Sequence, residues 1–240
     1  MQPPDTLPPS WQRLLALSGV VFAVLFVIAW FASGGNAPDY TAADQDWTTW
    51  ADDNQWKSRI GAFLMLVAGF VFLHFAGTIR DVLGSAETTV RGSVQLARVA
   101  YAGAITGISG ITMAIVIIAG ATTEGANADP AVSRAVATVA GGPYFVAAMG
   151  FAVMLAAAGL LTLRSGVFAR WIGVVALVGA FSFLITFLAL IQGISEDSVF
   201  GYGYFVGVLT LAIWSIATSI ARYRVVRTIA RELPATAADS

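Results

Sequence analysis

The sequence has no cysteine, a single histidine and few charged residues. Among its 240 residues, Asp, Glu, Lys and Arg make up only 11%, whereas soluble domains carry roughly 25%. The absence of cysteine excludes disulfides, thiolate metal ligands and cysteine nucleophiles. The one histidine, His74, has no cysteine or second histidine to join it in a metal or haem site. We therefore predict no metal and no cofactor.

Apolar residues take the place of the missing charges and make up 58% of the chain. The net charge of −1 gives no basic surface for nucleic acid, so we expect no nucleic-acid partner. A surface with so few charges must face something other than water. The composition therefore predicts an integral membrane protein, an all-α bundle whose helices share one domain and whose natural partners are membrane lipids.

Long apolar stretches define the predicted topology. A helix needs about 20 residues to cross the roughly 30 Å hydrocarbon core of a bilayer. Six stretches of about this length predict a polytopic six-helix bundle, with spans over residues 14–32, 60–79, 99–119, 144–163, 172–191 and 204–221. The transmembrane domain is predicted to cover residues 13–233, between a disordered proline-rich segment (1–12) and a disordered tail (234–240).

Basic residues predict how the bundle is oriented. Lys and Arg concentrate in cytoplasmic loops and near the cytoplasmic ends of spans. If both termini are cytoplasmic, ten of the 13 basic residues lie on the inner side, and only Lys57, Arg59 and Arg134 lie on the outer side. The sequence therefore predicts an N-in, C-in topology.

The first and second outer loops carry signals for helices of their own. In the first loop, Trp47 and Trp50 are spaced to share one helical face. In the second, Asp129 is a favourable N-cap and Pro130 follows at the first helical position. The sequence Gly141–Pro143 is expected to break that helix before the fourth span. We therefore predict a short, separate helix in each of these two loops.

His74 is the ionisable side chain that lies well inside a predicted span. A charge at mid-membrane costs about 2.5–3.5 kcal/mol or more, so such residues are candidates for function. Thr78 and Asp81 follow one and two helical turns later. One interpretation is a proton-titrating or ligand-binding site that faces the bundle interior. The other is a neutral imidazole hydrogen-bonded to a neighbouring helix.

Two further groups of residues are expected at the membrane surfaces. Three tryptophans precede the second span on the outer side: Trp47, Trp50 and Trp56. Trp at this depth anchors a helix at the interface, and an outer ligand-binding surface is the alternative. Four arginines follow the last span: Arg222, Arg224, Arg227 and Arg231. We expect them to contact anionic lipid head groups, which contribute about 1 kcal/mol per basic residue near the surface.

Small residues recur at four-residue spacing on two of the predicted spans. They are Gly103 and Gly107 on the third span, and Ala148, Ala152 and Ala156 on the fourth. Such faces let helix backbones approach each other closely. They predict tight helix packing within the chain, and a homo-oligomer formed through either face is the alternative.

Several segments resemble a known family. The segments that carry the resemblance are Trp50–Asn54 leading to Arg59–Leu64, then Asp129–Ala135, then Ala156–Leu160 continuing through Leu163–Gly166 to Arg170–Gly173. Through these segments the chain resembles a family of uncharacterised six-span bacterial membrane proteins common in high-GC actinobacteria, and the similarity runs from the first span to the sixth. The resemblance implies the same architecture and a multi-pass location in the bacterial plasma (inner) membrane. It implies no activity.

The sequence lacks the usual catalytic motifs. It contains no H-E-x-x-H zinc motif, no P-loop and no G-x-S-x-G elbow. We therefore favour a non-enzymatic membrane protein that binds a lipid or other hydrophobic ligand, or that supports a membrane partner. The alternative is a small transporter or channel for a neutral solute with His74 on the path. An intramembrane enzyme would need His74 to act together with Thr78 or Asp81.

Overall fold

Helices account for all regular secondary structure in the residues that the computed structural model describes, which are 9–34, 38, 42–90, 95–123, 129–188 and 199–236. The seven α-helices are α1 (Pro9–Ala16), α2 (Ser18–Gly34), α3 (Asp44–Glu87), α4 (Leu96–Ala121), α5 (Pro130–Ser165), α6 (Arg170–Ile185) and α7 (Val199–Thr236). A 3₁₀ turn, Thr186–Leu188, follows α6. The predicted all-α fold is confirmed. We call the end of the bundle where α3 and α5 begin the outer end, and the opposite end the inner end.

Five helical segments are long and apolar enough to cross a membrane. They are Asp44–Glu87, Leu96–Ala121, Pro130–Ser165, Arg170–Leu188 and Tyr202–Thr228. These segments contain the second to sixth predicted spans, except for residues 189–191 of the fifth, which lie outside the described residues. Their lengths and compositions indicate a multi-pass membrane protein.

The first predicted span, residues 14–32, is not one continuous helix. Leu17 separates α1 from α2, and α2 has only 17 residues, a length of about 25 Å. The Ser18 hydroxyl donates a hydrogen bond of 2.7 Å to the carbonyl of Leu15. Such a local side-chain bond offers the backbone an alternative to the regular helical ladder. The expectation of a single helix over this stretch is therefore corrected.

Helical structure also extends into both predicted disordered ends. α1 begins at Pro9, where a missing N–H costs nothing because the first N–H groups of a helix have no intrahelical partner. At the other end, α7 continues to Thr236. Residues 1–8 and 237–240, the rest of the two segments predicted to be disordered, lie outside the described residues.

The predicted helix of the first outer loop is wrong as a separate element. Residues 44–59 form the first part of α3, which continues without a break to Glu87. No glycine or proline lies between Asp44 and Ile60, so nothing in the sequence interrupts the backbone hydrogen bonds. α3 is about 66 Å long, roughly twice the thickness of the hydrocarbon core. Its first part must therefore project beyond the membrane.

The predicted helix of the second outer loop is also continuous with its span. The Asp129 carboxylate accepts a hydrogen bond of 2.9 Å from the Ala131 amide, which confirms the predicted N-cap. The predicted break at Gly141–Pro143 is wrong, because α5 runs through it to Ser165. Gly142 has no Cβ, and this weakens the clash that normally keeps the residue before a proline out of the helical conformation.

α4 and α5 approach each other through backbone contacts at glycines. A Cβ atom placed on Gly103 would lie 2.6 Å from the backbone nitrogen of Met154, and one on Gly110 would lie 2.6 Å from that of Ala147. Any side chain larger than hydrogen at these positions would force the two helices apart. Glycine at these positions therefore sets the distance between α4 and α5.

The small-residue faces are thus part of the packing within the chain. Gly107 is covered by the ring of Phe151, and Ala148 and Ala152 are buried while Ala156 is partly buried. This is the intramolecular packing that the sequence favoured. A homo-oligomer formed through these faces remains a prediction.

Aromatic rings fill the centre of the bundle and connect five of its helices. The rings of Phe22 and Phe72 lie 4.5 Å apart, those of Phe72 and Phe151 5.9 Å, and those of Phe151 and Phe183 5.6 Å. The Phe183 ring continues this series to Tyr204 at 5.6 Å. All five residues are buried. The series joins α2, α3, α5, α6 and α7 around one apolar core.

The close contact between α4 and α5 can be tested with a pair of glycine substitutions. Gly103→Ala is expected to lower the free energy of unfolding by about 1–3 kcal/mol, the usual effect of overpacking. Gly77→Ala is the matched control, because a Cβ at Gly77 meets nothing within 4 Å. The control should be neutral or stabilising by up to about 1 kcal/mol. Unfolding of the detergent-solubilised protein by dodecyl sulfate would measure both, and equal effects would contradict the contact.

Candidate functional site

His74 lies on the outside of the bundle. Its side chain is exposed, whereas the adjacent Phe75 is only 2% exposed. The rotation of α3 is set by Phe72, Phe75 and Ile79, which are buried at helical spacing and turn His74 away from the core. The prediction that His74 faces the bundle interior is therefore wrong. Whether His74 binds a ligand or a proton remains a prediction.

Thr78 and Asp81 do not complete a site around the imidazole. The Thr78 hydroxyl donates a hydrogen bond of 2.8 Å to the backbone carbonyl of His74 rather than to its ring. Asp81 is exposed and attracts Arg222 of α7 electrostatically. The structure thus places the three residues on the same side of α3, without a contact between the imidazole and either of the other two side chains among those that the structure describes.

The three outer tryptophans do not form one exposed surface. Trp47 is only 5% exposed, and its ring meets that of Trp50 edge-on with centroids 6.1 Å apart. This confirms that Trp47 and Trp50 share one helical face. Trp56 is 70% exposed and lies apart from this pair along α3. Trp47 therefore packs within the bundle, and an outer binding surface made by all three is not formed.

Polar contacts join the helices at the outer end. Arg134 of α5 pairs with Asp44 of α3 at 2.9 Å, and both side chains are more than 40% exposed, so the pair contributes only about 0–1 kcal/mol. The side chains of Gln55 and Arg59 donate to the carbonyl of Thr123, at 2.9 and 3.4 Å. These bonds connect the first 16 residues of α3 with the beginning of α5 and the end of α4 at one end of the bundle.

The arginines of α7 have different surroundings. Arg222 is partly buried, whereas Arg224 and Arg227 are exposed. The side chain of Arg231 lies outside the described residues, although its backbone is part of α7. Arg222 therefore combines burial with attraction to Asp81. Arg224 and Arg227 are the two described arginines that extend freely from the inner part of α7.

A groove of about 420 Å³ lies between α6 and α7. Its α7 wall consists of Ile213, Ile216, Ala217, Ile220, Ala221 and Arg224. Its α6 wall consists of Ala169, Trp171 and Ile172. Every wall residue except Arg224 is apolar or aromatic. The groove is therefore an apolar depression on the side of the bundle, with the positively charged Arg224 side chain at its inner end.

The crevice between α3, α4, α5 and α7 is far smaller. It holds only about 10 Å³ and is bounded mostly by apolar residues such as Phe75, Leu83 and Trp214, with Arg80 and Tyr101 among its polar neighbours. This volume accommodates about one water molecule at most. Among the described residues, no group of three His, Asp or Glu is placed to hold a metal ion.

Comparison with known proteins identifies the family. A family model for a domain of unknown function, DUF4386, matches residues 17–220, which is most of the chain. The chain belongs to the DUF4386 family. No curated protein and no solved structure matches it. The DUF4386 match begins just before α2 and ends within α7, so it includes most of the groove and stops before Arg222 and Arg224.

The groove of this DUF4386 chain was not predicted from the sequence, although part of the residue pattern that forms it is visible there. Ile213, Ile216 and Ile220 recur at helical spacing, and the small residues Ala217 and Ala221 directly follow the last two of them. From the sequence alone, this row of isoleucines and alanines could either pack against another helix or face lipid. In the structure, Ile213 and Ile220 remain exposed, and the groove runs beside them.

The outward position of His74 in this DUF4386 chain leads to a direct test. His74→Leu is expected to leave the thermal unfolding temperature unchanged or slightly higher, because it removes a polar ring from a surface that faces lipid. The neighbouring Phe75→Ala is the contrasting variant and should lose about 3–5 kcal/mol, since Phe75 is buried. Thermal unfolding in detergent measures both. A loss from His74→Leu comparable to that from Phe75→Ala would place the imidazole inside the bundle.

Proposed function

We propose that this chain is a six-span protein of the bacterial plasma membrane, with α2 as the sixth membrane-crossing helix. At 17 residues, α2 is shorter than the other spans, but a short helix can be accommodated by local thinning of the bilayer. Its two sides differ as expected for a span. Phe22, Phe26 and Ala29 are buried in the bundle, whereas Val24 and Phe31 are exposed.

The proposed orientation places both termini in the cytoplasm. The inner end then carries Arg80, Arg98, Arg164, Arg170 and the arginines of α7, in agreement with the preference of basic residues for the cytoplasmic side. The bonds between the starts of α3 and α5 and the end of α4 support the alternation of helix directions that this orientation requires. The protruding outer part of α3 then lies outside the cell.

Within this topology, the protein acts by binding a lipid or another hydrophobic ligand, without catalysis. The observation that carries this proposal is the groove between α6 and α7. Its volume of about 420 Å³ lies within the roughly 300–1,000 Å³ of small-molecule sites, which are mostly apolar with a few placed polar groups. A role in supporting a membrane partner would use the same lipid-facing side of the protein.

The alternative, a transporter or channel for a neutral solute, receives less support. It required an interior cavity that reaches His74, but His74 lies on the outside of the bundle, and the crevice between α3, α4, α5 and α7 holds only about 10 Å³. An enzyme that uses His74 with Thr78 is also disfavoured, because the Thr78 hydroxyl is bonded to the backbone. Ligand binding on the side of the bundle requires none of these features.

Native mass spectrometry of the full chain, gently released from its own membrane, tests ligand binding. We expect a lipid or small hydrophobic molecule to co-purify at fixed stoichiometry, because a molecule held in a defined groove should dissociate more slowly than the loosely associated lipid around it. A sample washed extensively in detergent serves as the control and should lose the added mass. A chain that is bare before the wash would contradict the proposal.

A further inference from the structure

The shape of the groove matches a single extended hydrocarbon chain. From Ile213 to Arg224, its α7 wall extends over twelve residues, or about 16 Å along the helix axis. Ala217 and Ala221 are partly buried along this wall, while Ile213 and Ile220 are exposed beside them. Small residues set back between larger ones make a trough that runs along the helix, and no polar side chain lines it before Arg224.

The inner end of the trough is positively charged. Arg224 is exposed there and lines the groove together with Ala169, Trp171 and Ile172 at the start of α6. The N-cap of α6 is Ala169, which makes no side-chain capping bond. The first backbone N–H groups of a helix carry a partial positive charge, which favours an anion beside them. Arg224 and the residues at the start of α6 both line the groove, and both favour a negatively charged group near this end.

The end of the trough beside Arg224 is expected to lie at the depth of the lipid head groups. Trp171 is 54% exposed on the α6 wall, next to Arg170 at the first position of the helix. Exposed tryptophans gather at the membrane interface, where their rings contact the head-group region. A ligand with its chain in the trough would thus have its polar group at the depth where phospholipids carry theirs.

We infer that the groove binds an anionic phospholipid, with one acyl chain along α7 and the phosphate beside Arg224 and the start of α6. This inference rests on the proposed function and names the class of ligand. A transmembrane helix of a second protein is a poorer occupant, because it is about 10 Å wide with its side chains and would not use the charged end. A zwitterionic lipid fits the trough but leaves the positive charge without compensation.

The test compares two lipids that differ only in the head group. The purified full chain is titrated with phosphatidylglycerol and with phosphatidylcholine of the same acyl chains, and bound lipid is counted by native mass spectrometry. The unmodified protein should prefer phosphatidylglycerol. Arg224→Gln should weaken phosphatidylglycerol binding about fivefold, the loss expected for one basic residue near the surface. Binding of phosphatidylcholine should change little.

Arg227→Gln is the matched control, since Arg227 is also exposed on α7 but does not line the groove. It should have a clearly smaller effect than Arg224→Gln, and Arg224→Lys should restore part of the preference. Equal losses from Arg224→Gln and Arg227→Gln would overturn the inference, because they would show a diffuse surface attraction.

A second variant tests the trough itself. Ala217→Phe places a ring in the groove and should reduce the binding of both lipids. Its thermal unfolding temperature is measured first, and if it does not fold, Ile213→Trp at the exposed rim replaces it. Unchanged binding in a folded variant would overturn the inference.

If the native chain retains a lipid but shows no preference for phosphatidylglycerol, this inference fails while the proposed function stands. If it retains no ligand, the proposed function fails as well.

Discussion

The contact between α4 and α5 determines how the rest of the bundle is arranged. Inside a bilayer, helices gain little from hiding apolar side chains, because lipid tails are as apolar as the side chains themselves. Association must come from close packing, and here Gly103 and Gly110 bring the two backbones into direct contact. α3 and α6 then pack on this pair, and α2 and α7 complete the bundle around the aromatic core.

Within the described residues, that core is tightly filled. The rings from Phe22 to Tyr204 lie in continuous contact across five helices, and the crevice between α3, α4, α5 and α7 holds about 10 Å³. The chemistry that remains accessible is therefore on the outside of the bundle. Of the features there, the groove between α6 and α7 combines a shape with a charge, and this combination can select a ligand.

The sequence predicted those features that depend on local composition. Span lengths, the Asp129 N-cap and the shared face of Trp47 and Trp50 follow from apolar runs, capping chemistry and helical spacing. The sequence did not predict the features that depend on tertiary contacts. Gly142 helps α5 to continue through Gly141–Pro143, because it has no Cβ to clash with the proline ring. The outward position of His74 depends on which side of α3 the core selects, and the groove depends on which residues of α7 the neighbouring helices leave uncovered.

The central claim is that the ligand site lies on the lipid-facing side of the bundle and not in its interior. Electron cryo-microscopy of the full chain in nanodiscs containing phosphatidylglycerol, with a rigid binder on the outer end to give the particle sufficient size, tests it most directly. The account predicts an elongated density along α7 from Ile213 to Arg224 that ends in a phosphate beside the guanidinium. A vacant or protein-filled groove, or a water-filled passage through the aromatic core, would contradict it.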